Sequence, residues 1–523
     1  MNVYKFPRRR RLVFLCWSFS AIMLAGCTVE PVAIDRQTMS HDLIQDRLLA
    51  QQDAPPLSGQ LSLEEAIARA IKFNLDHRVT LMEQAVARGE FDLSRYDVLP
   101  SLLADAGYST RSEPRLTRSV NAVTGEDLET DPTISADQSS WDFSANLSWS
   151  LLDFGVSYYG AQQNANRLLI AAQRRRRAMH LLVMDVHTAY WRAASAQALE
   201  PRIASTIQLT RAAIEDARLA QQGNAQAPME HLRQERALLR TLRDMNQVQQ
   251  DLVASRAELS NLINAPVDQP LELDPPIPLE NRPRVLDEPM EVLERVALYH
   301  NADLKEHFYD VEIARLETRS ALLHLMPDLF FSWGPRYTKD SFVLNKQWNE
   351  GALSVSYNLF SLLNISNVRK HAEAREELAH MRRIAMQMTV VAQVHLAALQ
   401  ASNALTRLDI AEELQHVEQE IELRMVNQYR AGTISAVELV GAQAEAIVAD
   451  LLRYQALAGF HSSMGRLQAS LGFEPNISSM QAASLDEIER EVSVTLKRWY
   501  AGAGGQSEHY LINQLETSPS QPN

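Results

Sequence analysis

The sequence predicts a mainly α-helical protein whose few strands belong to a transmembrane β-barrel shared between chains, on three observations. Two stretches, from about Val156 to Gln222 and from about Asn367 to Ala431, read as uninterrupted helix, with Pro201 the one proline inside them. Four shorter stretches alternate apolar and polar residues with the period of a β-strand. Both kinds of element occur twice in the same order, so the chain is two copies of one strand and long-helix unit.

The N-terminus indicates the compartment. MNVYKFPRRRR is basic, LVFLCWSFSAIML is a short apolar run, and LAGC follows at Leu24 to Cys27. This is a secretory signal over 1–26, too short to be preferred as a membrane-spanning helix. LAGC resembles the bacterial lipobox, which implies that Cys27 is acylated and that 27–60 form a lipid-anchored N-terminal segment. Thr28 stands where an aspartate would retain such a lipoprotein at the inner membrane, which favours the outer membrane. Cys16 and Cys27 are the only cysteines, so the mature chain forms no internal disulfide and relies on packing and association.

Charge excludes one class of partner. With 51 Lys+Arg against 65 Asp+Glu, a net charge of -14, the chain lacks the basic face that nucleic acid requires. RRRR at Arg174 to Arg177 lies in a helical stretch and reads as a solvated helix face. Beyond the signal no run reads as a transmembrane helix. IAMQMTVVAQVHLAALQASNAL, from Ile384, carries too many amides for a lipid-facing span and reads as a helix buried among other helices.

The first repeat covers 61–264 and the second 290–475. FNLDHRV near Asn74 and HNADLKE near Asn301 match at Asn74/Asn301 and Asp76/Asp303, and Ala87/Ala314, Arg88/Arg315, Glu90/Glu317 and Pro100/Pro327 then fall into register. Each copy runs helix, proline, strand, polar loop, strand, long helix. In the first copy the strands are LLADAGYST from Leu102 and WDFSANLSWSLLD from Trp141, around the acidic, turn-rich loop TRSVNAVTGEDLETDPTISADQ. In the second they are DLFFSWGPRYT from Asp328 and GALSVSYNLF from Gly351. Strands of roughly 10 residues suit an oblique crossing of a bilayer. Four cannot close a barrel, and an open edge in hydrocarbon costs several kcal/mol per unpaired group, so several chains must share one.

Each long helix has roughly 65 residues and, at 1.5 Å per residue, a length of about 100 Å. Each ends at a glycine, Gly223 or Gly432, that fits a helix C-cap and turn, and a second helix runs back. On the returning helices Val437, Val440, Ala444, Ile447, Leu451, Tyr454 and Ala458, and Leu238, Leu242, Met245, Leu252, Leu259 and Ile263, follow the seam of a coiled coil. Proline-rich 265–289 reads as an extended linker between the copies, and 476–523 as a C-terminal amphipathic helix from Ser484 and a disordered tail ending TSPSQPN.

Together these features resemble the TolC-like outer-membrane efflux proteins, in their lipid-anchored OprM-like branch. The matching stretches are LSLEEAIARAIKFNLDHR from Leu61, LSWSLLDFG from Leu147, YRAGTISAVELVGAQ from Tyr429, LQASLG from Leu467, and the duplication itself. The resemblance implies a homotrimer with a twelve-stranded barrel in the outer membrane and a periplasmic α-helical coiled-coil tunnel, its strands facing lipid with their tryptophan-bearing side. It implies a gate at the hairpin tips, whose first acid falls on Glu438, with Thr433 beside it. The family's second tip acid is Gly441 here, and the basic residue that some members carry after Gly-Thr is Ile434. Gly223, Gly432 and Tyr429 would form the tips where a periplasmic adaptor docks, and an inner-membrane RND or ABC transporter would supply energy. The function implied is a passive exit duct of a tripartite efflux system carrying small molecules such as drugs. The alternatives are the outer-membrane part of a type I secretion or polysaccharide export system, and a lipid-anchored coiled-coil scaffold that conducts nothing.

Nothing in the sequence reads as an enzyme or calls for a cofactor. Among 14 histidines there is no HExxH and no cluster with metal-ligand spacing, and neither GxSxG nor GxxxxGK[ST] occurs. His180 with His187, and His300 with His307, read as packing or surface residues of helices.

Overall fold

The computed structural model describes residues 33–501 except 53, 58, 119, 128–130, 224–227, 267–270, 275–282 and 473–482. The expected signal over 1–26, Cys27 and residues 502–523 of the expected tail lie outside the described residues. The chain divides into two compact units, 1–54 and 55–523. In the first, α1 (Arg36–Gln52) starts where Asp35 accepts from Gln37 N at 3.2 Å, and it exposes Met39, Leu43, Ile44 and Leu48.

In the second unit each copy begins with a helix pair broken at the repeated asparagine. These are α2 (Leu63–Phe73) with α3 (Leu75–Ser94), and α6 (Met290–His300) with α7 (Ala302–Leu323). Asn74 Oδ1 accepts from His77 N and Asn301 Oδ1 from Leu304 N, so each side chain caps the second helix of its pair. Each amide also reaches the end of the returning helix of its own copy. Asn74 Nδ2 donates to Leu262 O at 3.0 Å, and Asn301 Nδ2 to Ser470 O at 3.3 Å. Both asparagines are buried, which explains the motif that revealed the repeat.

The strands are β1 (Ser101–Thr110), β4 (Ser139–Ser150), β5 (Asp328–Thr338) and β6 (Gln347–Ser356), forming one antiparallel sheet in the order β1-β4-β5-β6. Inside the first polar loop, β2 (Leu116–Thr117) and β3 (Thr133–Ile134) pair as a short ribbon that the alternation did not foreshadow. The fourth strand also departs from expectation. It begins at Gln347, because β5 pairs with it out to Tyr337, and stops at Ser356. Leu359 and Phe360 are turn, where Asn358 accepts from Phe360 N and Ser361 N.

The long helices α4 (Leu151–Gly223) and α8 (Ser361–Arg430) start five or six residues earlier than the sequence suggested; their partners are α5 (Pro228–Leu262) and α9 (Ala436–Leu471). With 73 residues, α4 is about 110 Å long. The expected seams are where the helices pack: Leu238, Met245 and Leu259 of α5, Ile263 just after it, and Val440, Ala444, Ile447 and Ala458 of α9 are buried. Arg174 and Arg177 are not a free cationic face, for they pair with Glu306 and Asp303 of α7 at 2.7 and 2.9 Å. The linker is held where it is described. Leu273 pairs in parallel with Leu61, and Gln197 bonds both its N–H and its carbonyl. Helix α10 (Leu485–Ala501) lays Ile488, Val492 and Leu496 against the core that α2 also enters.

Candidate functional site

The four-stranded sheet has two chemically distinct faces. Cross-strand register puts Leu102, Ala104, Ala106 and Tyr108 beside Trp141, Phe143, Ala145, Leu147 and Trp149, and continues the face through Phe331, Trp333 and Tyr337 to Leu353 and Val355. Rings gather at both ends of this face. Tyr108, Trp141, Phe143 and Tyr337 form a row with centroids 5.0 to 6.2 Å apart, and Trp149 meets Phe154 at 5.5 Å. Leu102 is 72% exposed and Leu353 and Val355 69% each, and contiguous exposed apolar surface of this kind marks a protein or membrane interaction site. The other face carries Asp105, Asp142, Ser144, Asn146, Ser148, Ser332, Arg336, Glu350 and Ser354, with Leu103, Phe330, Trp348 and Ala352 set among them.

Both outer strands, β1 and β6, have one unpaired edge. Between β4 and β5 the ladder skips Ala145 and Asn146 opposite Pro335 and Gly334. Pro335 has no N–H to donate, and a Cβ on Gly334 would strike the Ala145 carbonyl.

The second hairpin tip is built by local hydrogen bonds. Gly432 takes φ +71, Thr433 N and Oγ1 donate to Gln428 O at 3.0 and 2.9 Å, and α8 is thereby closed. Ser435 then opens α9 with a capping box: its Oγ accepts from Glu438 N, while Glu438 Oε2 accepts from Ser435 N at 2.8 Å. The Ser435 backbone N–H, followed by its hydroxyl, holds the Glu438 carboxyl below its ordinary pKa. Glu438 and Thr433 thus stand together at the tip, both engaged in the turn. Tyr429 is exposed beside them. Gly223 ends α4 as a helical residue, and 224–227, which follow it, lie outside the described residues.

Further along, a polar network crosses the two hairpins. Arg202 of α4 bonds Asp450 of α9 and, at 2.7 Å, Glu422 of α8; Gln415 and Gln419 of α8 donate to Asp450 at 2.7 and 3.2 Å. Asp450 is buried, and Arg453 nearby faces Glu412 at 3.6 Å. Sequence reasoning passed over these residues, although Asp450 and Arg453 are charges flanking an apolar seam. His187 of α4 and His461 of α9 stack at 6.1 Å, and His461 lies on Trp191 at 4.7 Å. Burial pushes His187 down to about 4; burial and then His187 push His461 to about 3.

Only one side of α8 is covered. Val390, Val394, Ala397, Ala401 and Leu408 are buried, while Met381, Met388, Leu399 and Ile410 on the opposite side are exposed. The stretch expected to be buried among helices is therefore half uncovered in the single chain. Among the described residues no group of three His, Cys, Asp or Glu stands where it could hold a metal ion.

No family model matches this sequence, and no curated protein does. Solved structures do. The chain is similar to the outer-membrane channel OprN, with a TM-score of 0.62 and 16% identity over 83% of this chain and 96% of that one. It is also similar to the Campylobacter jejuni CmeC outer membrane channel, at 0.63 and 12% identity over 83% and 89%. To the open state of the Neisseria gonorrhoeae MtrE outer membrane channel the values are 0.60 and 18% over 78% and 88%. The chain therefore has the fold of the TolC-like outer-membrane channels.

Proposed function

We propose that three copies of this chain join their sheets into one twelve-stranded outer-membrane barrel, and their long helices into a periplasmic tunnel, forming a passive exit duct. The observation that carries this reading is the sheet itself: two open edges beside an exposed apolar face banded by aromatic rings at both ends. In hydrocarbon each unpaired edge group costs several kcal/mol, whereas aromatic bands suit the two interfaces of a bilayer. Because the sheet alternates, β6 of one copy meets β1 of the next antiparallel, as every other pair in the sheet does. The uncovered side of α8 gives the copies a second apolar surface to bury. Three as the number of copies, an acyl anchor at Cys27, and a periplasmic adaptor docking at Gly223, Tyr429 and Gly432 follow from the resemblance.

In this reading small molecules such as drugs enter from an adaptor-coupled inner-membrane RND or ABC transporter and leave through the barrel. The exposed apolar sheet face speaks against a scaffold that stays in water. Single-channel recording of the purified, acylated protein in planar bilayers tests the duct: discrete conductance steps are expected, and their absence overturns it. Deleting the gene tests the cargo. Drug hypersensitivity is expected, and a missing secreted product with unchanged drug sensitivity overturns the small-molecule assignment.

A further inference from the structure

The polar face of the sheet carries its charge in an organised way. Asp105, Asp142 and Asp328 all lie on it, and each is held by a hydroxyl from the adjoining strand. Ser144 Oγ donates to Asp105 at 3.4 Å, Thr338 Oγ1 to Asp142 at 2.7 Å, and Ser150 Oγ to Asp328 at 2.7 Å. Leu152 N adds a second donor to Asp328 at 3.3 Å. Arg336 is the only base in these strands, and its guanidinium sits 2.8 Å from Glu350. That pair is neutral, so the three hydroxyl-held carboxylates have no cation opposite them on the sheet.

They also stand at different heights. Along β4, Asp142 and the residue opposite Asp105, Ser144, are two positions apart, whereas Ser150, which holds Asp328, is six further on. At about 3.3 Å per residue these tiers cover most of the strand. The hairpin tip is differently equipped: the Glu438 carboxylate is engaged by Ser435, and position 441 is glycine.

We propose that the carboxylates of Asp105, Asp142 and Asp328, fixed by cross-strand hydroxyls, set the ion preference of the bore, so that the barrel passes cations and cationic solutes and rejects anions. The inference rests on the duct reading above, in which the polar face lines the lumen. Rotational symmetry repeats each tier in every copy, and a low-dielectric wall focuses the field of such rings into the water between them. Among the described residues the second hairpin tip offers a single acid, Glu438, against three carboxylates on the sheet, so the barrel carries most of the preference.

The test is the reversal potential of the full acylated protein in planar bilayers under a tenfold KCl gradient. A K⁺ over Cl⁻ permeability ratio of about 10 is expected, of the size that charged rings in a narrow pore produce. In D105N/D142N/D328N, whose amide oxygens still accept the hydroxyl bonds, the ratio falls toward about 1 as those rings lose their charge. In E438Q it stays at the parent value. D105N and D142N singly give intermediate ratios, which keeps the test open if the triple variant fails to assemble. A conducting parent without cation preference overturns the inference alone. So does a preference that survives the triple substitution or disappears with E438Q. A parent that shows no conductance overturns the duct reading and this inference together.

Discussion

Replacing Asp450 removes the centre of the network that joins α4, α8 and α9. In the parent its carboxylate accepts from Arg202, Gln415 and Gln419, and its side chain is 6% exposed. Breaking one partner of a buried pair costs about 3–5 kcal/mol. Here the lower end applies, because Arg202 keeps Glu422 at 2.7 Å and its side chain is 36% exposed, so water and that second carboxylate soften the loss. Part of the penalty falls on Gln415 and Gln419, whose amides lose an acceptor at about 1 kcal/mol or more each. Asp450→Ala should therefore destabilise the assembled protein by about 3 kcal/mol. Arg202→Met/Asp450→Leu should recover much of that, since an apolar pair of similar volume leaves no charge stranded. Guanidinium unfolding of the detergent-solubilised protein, followed by helix dichroism, of the parent, Arg202→Met, Asp450→Leu and the double variant gives the four corners of a double-mutant cycle. Strict additivity, or an Asp450→Ala variant within about 0.5 kcal/mol of the parent, would refute the reasoning.

Other substitutions test other parts of the molecule. Asn74→Ala and Asn301→Ala each delete a helix N-cap and a bond to the returning helix of the same copy, and each should cost about 2 kcal/mol in the same unfolding measurement. Gly334→Ala drives a methyl into the Ala145 carbonyl and should prevent a heat-stable oligomer on native gels, whereas Gly107→Ala, with open space around it, should not. His187 is neutral in the folded protein because burial lowers its pKa to about 4. An unfolded chain binds that proton from about pH 6.5. Stability is therefore fully present above pH 6.5 and declines as the pH falls toward 4, by up to about 3 kcal/mol for this group. His187→Gln should flatten that acid limb, and an unchanged slope in unfolding midpoint against pH would show that the ring is already protonated or hydrated.

Much of this fold is legible in the sequence because its signals are local. Period-two alternation locates β1, β4 and β5 to within three residues at each end, and the glycine of YRAG marks the end of α8. The start of β6 is hidden because Gln347 to Glu350 break the alternation; they are strand only through their pairing with β5. Glu438 was readable in another sense. Ser435-x-x-Glu438 ahead of an apolar run is a capping box, and that pattern accounts for the carboxylate as well as any gate does. The Arg202–Asp450 contact has no such local trace, since its partners are 248 positions apart.

The duplication makes the missing contact between copies of the chain calculable. Pro100 and Pro327 align β1 with β5, so Ser101 corresponds to Asp328. These two pair with Ser148 and Ser356 respectively, which aligns β4 with β6. The seam between repeats inside one chain, β4 against β5, sets Ser148 opposite Ser332. Transferred by the same correspondence, the seam between chains sets Ser356 opposite Asp105 of the next copy, and hence Ala352 opposite Ser109. Directly opposed residues on antiparallel strands have Cα atoms about 4.5–5.5 Å apart, within the span of a disulfide. A protein carrying Ala352→Cys and Ser109→Cys should therefore oxidise to a covalent trimer in the membrane, while Ala352→Cys with Asp105→Cys, displaced by four residues or about 13 Å, should not. Covalent species from the displaced pair alone would mean that the chains meet in another register, and monomers from both would mean that these edges do not meet at all.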